Sequence, residues 1–292
     1  MARRLTPGVA MDDKRPMLLK KLLKAIRAPA PQKPAAQAEY PLELEAKLNR
    51  LHARAPVRRH LDILNGDVRV GEEAFNDVFF RCLERTGTML TPFTVFHRVQ
   101  TRRDLMRYFL ATLDIAGGRM ECGAYRGATA LLLCHVWRSR QPHFAGDGFY
   151  LLDSFSGTSG STAHDLIAVR DAQGDARMAP FFPAGKTDIT VEAVRGHFDA
   201  FPDVKICAGW IPDVFDTLPP IPWALVHLDL TLYEPTLASL RYFHRRLARG
   251  GVIVCEGSVF CPGVQEALDD FCAEEDAAYV LLAYQQAVFI KN

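Results

Sequence analysis

The chain has 292 residues, 49% of them apolar and 24% charged, with a mean hydropathy of -0.03. At about 150 residues per domain this is one large domain with additions or at most two, and no run approaches the roughly 18 to 20 uninterrupted apolar residues of a bilayer span. Bulk disorder and membrane spanning are excluded, and a sizeable core is expected. The net charge of +1 conceals an asymmetry: residues 1–60 hold fourteen Lys and Arg against five Asp and Glu, a local +9 that leaves -8 for the rest.

Met17 to Arg27 (MLLKKLLKAIR) alternates leucine and basic pairs at near-helical spacing, which predicts a short cationic amphipathic helix. Pro29, Pro31 and Pro34 then mark a linker. Residues 1–38 read as a basic, flexible arm; binding to anionic lipid or nucleic acid is the functional alternative to a solvated tail. Its positive charge lacks an apolar secretory core, and Asp12 and Asp13 oppose a mitochondrial presequence. Residues 39–100 read as a helical N-terminal extension.

From about residue 101 helices and short apolar strands alternate. Helices are predicted over 101–116, 127–138, 191–201, 235–248 and 264–272, and strands over 119–123, 148–153, 204–208, 223–230 and 252–256. Strands separated by helices of this length imply a parallel sheet covered on both faces. The apolar runs 279–283 and 287–290 are too close for a crossover, so they predict an antiparallel hairpin. An α/β, Rossmann-like, mostly parallel sheet closed by a C-terminal antiparallel hairpin is the arrangement of class I methyltransferases. The seven cysteines include no CxxC, and Cys122, Cys134, Cys207 and Cys255 lie in apolar runs; reduced, packed thiols and a cytoplasmic location are expected.

Four strand ends carry candidate chemistry. In ECGAYRGATA, Gly123 and Gly127 let the backbone approach a ligand outside the sheet. Glu121 stands in the first slot of the GxGxxG fingerprint and the next glycine comes four residues after Gly123, which disfavours a dinucleotide; an acidic residue there would repel a pyrophosphate and suits the amino group of S-adenosylmethionine. A turn that needs glycine for geometry alone is the bland reading. Asp153, ending YLLD, can accept from both hydroxyls of a ribose, or can simply cap a turn. Asp229 ends HLDLTLYEPT and Glu256 ends GGVIVCEG; two carboxylates at adjacent strand ends suit a hard cation, or cap the helices that follow. PAGKT lacks the upstream glycine of a phosphate loop, SGTSGS lacks a nucleophile-elbow pattern, and an acidic body without interleaved basic and aromatic residues disfavours a nucleic-acid substrate.

The order ECGAYRG, YLLDSFSG, FPAGKTDITVEAVRGHF, AGWIPDVFDTLP, HLDLTLYEPT, GGVIVCEG, CPGVQEALDDF resembles the TylF/MycF macrocin O-methyltransferase family over roughly residues 100–275. The resemblance implies S-adenosylmethionine as methyl donor, a sugar hydroxyl of a small natural product as acceptor, and help from magnesium. By position, Glu121, Gly123 and Gly127 would surround the methionine part of the cofactor, Asp153 its ribose, and Gly209 and Trp210 its adenine. Asp229, also a catalytic residue, and Glu256 would fall on metal-ligand positions, and His164, in the loop after the second strand, on the place of the catalytic base. The chain departs from the family pattern at Thr231, where a second acidic residue is usual, and at Glu256–Gly257, where two aspartates are usual. Those departures motivate an alternative, a cofactor-binding module that has lost metal-assisted turnover. The methyltransferase domain is expected over 101–292, and an assembly of identical chains stays an open expectation.

Overall fold

The computed structural model describes residues 65–90, 92–170, 175–180, 184–185, 189–257 and 261–292. The expected basic arm, its helix 17–27, and the extension up to residue 64 lie outside the described residues. The chain divides into two compact units, residues 1–39 with 170–177 and residues 40–169 with 178–292; the second is described below.

In chain order the elements are β1 (Arg69–Val70), β2 (Glu73–Ala74), α1 (Phe75–Thr86), α2 (Pro92–Ala111), β3 (Gly118–Cys122), α3 (Ala128–Arg140) and β4 (Phe149–Asp153). A 3-10 turn at Ala163–Asp165 leads into β5 (Leu166–Arg170) and β6 (Ala176–Pro180), followed by α4 (Val191–His197) and β7 (Lys205–Ala208). The remainder is β8 (Trp223–Leu228), α5 (Tyr233–His244), β9 (Leu247–Cys255), α6 (Pro262–Glu275), β10 (Val280–Leu281) and β11 (Ala287–Ile290).

The main sheet has seven strands in the order β10-β11-β9-β8-β3-β4-β7. Pairings β9–β8, β8–β3, β3–β4 and β4–β7 are parallel, whereas β11 runs antiparallel to both β9 and β10. Every residue of β3 and β8 is buried, as central strands with helices on both faces must be. Because successive side chains point to opposite faces, Met120, Cys122, Val226 and Leu228 pack against α5 and α6, while Leu225, Val252 and Val254 join α1, α2 and α3 in a second apolar cluster. The strand order reverses direction between β3 and β8, where open parallel sheets bind their ligands.

The predicted elements recur with shifted ends; the helix expected at 191–201 stops at His197 and the strand expected at 252–256 begins at Leu247. The helix expected at 101–116 runs Pro92–Ala111 instead. Past Ala111 the chain turns, and Arg119, buried on β3, gathers the carbonyls of that connection, Thr112, Leu113, Ile115 and Gly117, so the segment leads into β3 instead of continuing the helix. Burial lowers the Arg119 pKa to about 10, and the guanidinium carbon lies 4.6 Å from the Trp137 ring centroid. The helix expected at 235–248 ends at His244, because β9 begins at Leu247, paired with Trp223, and bends through Gly250 before resuming opposite Leu225.

Phe243 is fully buried and meets Trp223, Phe215 and Tyr242 edge-on, with ring centroids 4.9 to 5.6 Å apart. Phe243→Ala should therefore cost about 3–5 kcal/mol, the usual range for deleting a buried ring, read as a lower denaturant midpoint with an unchanged slope.

Candidate active site

A cleft opens outside the carboxyl ends of β3, β4, β7 and β8, with Asp153, Gly209, Trp210, Ser154 and Leu230 in its wall. A second cavity adjoins it, and both are lined by Gly123, Tyr125, Asp229 and Thr231. Gly123 is required at the junction: its φ is +82°, and a Cβ there would lie 2.3 Å from the Asp229 carbonyl oxygen, so the chain ends of β3 and β8 touch through bare backbone.

Asp153 is the last residue of β4. Its Oδ2 accepts from the Tyr125 backbone N–H and its Oδ1 from that of Phe155, each at 2.8 Å. Both donors occupy the left-handed region, Tyr125 at φ +50° and Phe155 at φ +49°, a conformation that bulky residues hold only when something compensates. Burial raises the Asp153 pKa and the backbone donors partly offset it. A carboxylate has about four acceptor positions, so beside Tyr125, Phe155 and Ser154 there is still room for a ligand hydroxyl. Gly209 donates its N–H to the Asp153 carbonyl at 2.9 Å, and the neighbouring Trp210 is 41% exposed, leaving an indole face available at the cleft mouth. Gly127 is the N-cap of α3.

Glu121, His227 and Glu256 stand side by side across β3, β8 and the end of β9, all at most 2% exposed and on the face covered by α2. His227 bridges the two carboxylates, 3.2 Å from Glu121 Oε1 and 3.3 Å from Glu256 Oε1. Burial, the largest single influence, opposes charge on His227, but the hydrogen bonds to Glu121 and Glu256 outweigh it and raise its pKa. The other oxygen, Glu121 Oε2, has no hydrogen-bond partner among the described residues, and Glu121 lines the second cavity. A buried carboxylate oxygen left without a donor is costly, and the ammonium group of S-adenosylmethionine would satisfy it. The residues present therefore fit that cofactor.

They suit magnesium poorly, because the carboxylates expected to hold it, Asp229 and Glu256, are both engaged by arginine. Arg98 and Arg102, one turn apart on α2, take both carboxylates. Arg98 Nη1 donates to Asp229 Oδ1 and Oδ2 at 3.1 and 2.8 Å, Arg102 Nη2 to Asp229 Oδ2 at 2.6 Å, and Arg102 Nη1 to Glu256 Oε1 at 2.5 Å. Gln286 adds a donor to the same Glu256 oxygen at 2.8 Å. Burial acts to raise the pKa values of Asp229 and Glu256, but the guanidinium charges prevail and hold both below the ordinary carboxylate range. Magnesium demands near-octahedral oxygen ligation, and among the described residues no cluster of three or more His, Cys, Asp or Glu can hold a metal. Gly257, where a second aspartate is usual, has a φ of +85°, which a side-chain-bearing residue adopts only under strain.

The structure does not bring His164 to the residues lining either cavity. Its Nδ1 lies 2.8 Å from Glu266 Oε1, and its ring stacks on Tyr233 at 3.9 Å between centroids. Its neighbour Asp165 fixes that placement, accepting the Tyr233 N–H at the start of α5 while closing a reciprocal cap with Thr162. Sequence reasoning missed Arg98, Arg102 and His227. The i, i+4 spacing of the arginines was a usable signal for a shared helix face, but the helix was expected to begin at 101, after Arg98.

A parallel sheet in this order, with its hairpin edge and its cleft at the switch point, is the fold of class I methyltransferases. It superimposes on the O-methyltransferase NovP with a TM-score of 0.54 (20% identity, 66% of this chain and 80% of that one) and on a calicheamicin methyltransferase with 0.52 (17% identity, 74% and 91%). Residues 92–288 match the family Macrocin-O-methyltransferase (TylF), and the chain belongs to that family. It is 26% identical over 174 residues to demethyldecarbamoylnovobiocin O-methyltransferase of Streptomyces niveus, covering 58% of this chain and 63% of that protein. It is also 26% identical over 167 residues to 8-demethyl-8-(2,3-dimethoxy-alpha-L-rhamnosyl)-tetracenomycin-C 4'-O-methyltransferase of Streptomyces olivaceus, covering 53% and 59%. The chain thus spans about six-tenths of the length of these curated relatives. Among the described residues no helix is long and apolar enough to cross a membrane.

Because the folded pKa of His227 is raised, its pairing with Glu121 and Glu256 stabilises the fold fully below the unfolded value of about 6.5 and is lost as pH rises through the folded value. Unfolding stability should accordingly fall between mildly acidic and alkaline buffer. The fall should be smaller in His227→Gln, compared by denaturant titration at each pH.

Proposed function

We propose that this chain is a methyltransferase that moves the sulfonium methyl of S-adenosylmethionine to a hydroxyl of a small, sugar-containing acceptor. The observation that carries the reading is a pair of carboxylates in two adjoining cavities that share Gly123, Tyr125, Asp229 and Thr231: Asp153 in the cleft wall and Glu121, with its orphaned oxygen, in the second cavity. A ribose diol on Asp153, an adenine against Trp210 beside Gly209, and an ammonium on Glu121 place the sulfonium over Gly123, next to Asp229. The two curated relatives are named as O-methyltransferases, and the name of one specifies a rhamnosyl acceptor, which supports the choice of a glycosylated hydroxyl.

The cofactor supplies an electrophilic methyl whose C–S bond breaks as the C–O bond forms, leaving a neutral thioether. The protein's contribution is to seat oxygen, carbon and sulfur in line, and orientation of this kind is worth up to roughly 7–11 kcal/mol. The acceptor oxygen becomes strongly acidic as it takes the methyl, so its proton can pass to Asp229, 18% exposed at the boundary of the two cavities, and from there to solvent. Asp229 suits this late transfer although its pKa is depressed. His164 is given no part in this reading, since Glu266 and Tyr233 hold it elsewhere.

The alternative, a cofactor-binding module without turnover, is favoured by the occupation of Asp229 and Glu256 by arginine. Incubation with S-adenosylmethionine and a panel of rhamnosylated and other glycosylated phenolics separates the two, because only the enzyme yields S-adenosylhomocysteine in step with methylated acceptor. Calorimetry with S-adenosylhomocysteine tests the shared premise. Asp153→Ala should weaken binding by about 10- to 100-fold, in keeping with loss of charge-assisted hydrogen bonds worth about 1.5–3 kcal/mol, and unchanged affinity would sink the cofactor assignment.

A further inference from the structure

We propose that Arg98 and Arg102 are a built-in cation, standing where other members of the family would place a divalent ion, so that this chain orients its acceptor without metal. The inference rests on the cofactor-dependent reading above and deepens it. Three observations converge on it. First, the two carboxylates expected to hold the ion are joined by the same guanidinium, Arg102, which spans Asp229 and Glu256 while its side chain is 4% exposed. Its Nε donates to Thr129 Oγ1 at 2.7 Å, which fixes the guanidinium plane. Second, Arg98 and Arg102 together engage both carboxylates, so a divalent ion would have to displace a guanidinium to reach either one. Third, the usual additional carboxylates are replaced by Thr231 and by Gly257.

The two arginines differ in role. Arg102 is a positioning residue, locked against Thr129 and the carboxylates, and it keeps Asp229 ionised and fixed. Arg98 is 34% exposed and lines the second cavity beside Asp229 and Thr231. Its N–H groups face the space where an acceptor oxygen would lie, and a fixed donor there would hold that oxygen's lone pair in line with the methyl while its proton stays directed at Asp229. Unlike a bound ion, this cation does not dissociate, and it needs no carboxylate beyond the two it holds.

The test uses the full-length protein saturated with S-adenosylhomocysteine and titrated with Mn2+ as the probe, followed by electron paramagnetic resonance. Wild type should show no saturable site below millimolar Mn2+, and its melting temperature should be the same in excess MgCl2 and in EDTA. Arg98→Ala, which uncovers Asp229, should acquire Mn2+ binding at least tenfold tighter than wild type. A saturable wild-type site that disappears in Asp229→Asn would overturn the proposal. So would the absence of any gain in Arg98→Ala, since the guanidinium would then not be what excludes the ion. Should that variant fail to fold, the wild-type titration and the paired melts in MgCl2 and EDTA decide alone. Because S-adenosylhomocysteine binding is measured first and independently, its failure would strike the cofactor assignment and not the cation.

Discussion

Two guanidinium groups on one turn of α2 hold the carboxyl edge of the sheet together. Arg98 and Arg102 reach across to the ends of β8 and β9 and hold Asp229 and Glu256, which sit with His227 and Glu121 in one hydrogen-bonded row. Burying such charges is expensive, and their mutual attraction offsets the cost only when geometry is good and the remaining lone pairs are met. That condition explains the surrounding partners: Gln286 donating to Glu256, Thr129 accepting from Arg102, and His227 between two carboxylates. Removing one member would leave an opposite charge buried and uncompensated, with a typical penalty of about 3–5 kcal/mol. The network is therefore better seen as a device that fixes where α2 crosses the sheet than as a source of net stability.

The same row sets the character of the two cavities. On the Asp153 side the wall is made of backbone turns, with Tyr125 and Phe155 pinned in left-handed conformations by a single carboxylate. This keeps the cleft open without a large apolar filling. On the Arg98 side the wall is charged at its floor and apolar at its flank, where Phe79, Leu83, Met89 and Leu90 contribute. A ligand that is cationic at one point, polar at another and partly apolar elsewhere matches that distribution. Gly123 joins the two halves because no side chain can stand between β3 and the Asp229 carbonyl.

The cysteines show how burial alone silences a reactive group. Cys122, Cys134 and Cys255 lie in strands or helices with no exposure, and burial pushes the first two well above the ordinary thiol range. All seven are free thiols, as their placement in apolar runs suggested. They serve as small core residues, and none supplies a ligand or nucleophile to the cleft.

What the sequence determined by itself was the order of elements and the strand-end residues, since burial on both faces forces apolar runs and the ligand-facing ends must then break into Gly, Asp and Glu. ECGAYRG, YLLD and the short connection before residue 287 were enough for the mostly parallel sheet and its antiparallel edge. Helix ends were less legible: just past α2 the chain is held by Arg119, which gathers the carbonyls of Thr112, Leu113 and Ile115, and that guanidinium comes from a later strand. Only the tertiary structure decided what Asp229 and Glu256 touch. A carboxylate at a strand end can meet a metal, a helix cap or an arginine, and the choice lies with a helix more than 120 residues earlier, whose arginines look in sequence like any solvated pair. His164 shows the converse. Its residue type and loop invited a catalytic reading, but the neighbouring Asp165 anchors that loop to α5 and turns the imidazole onto Tyr233.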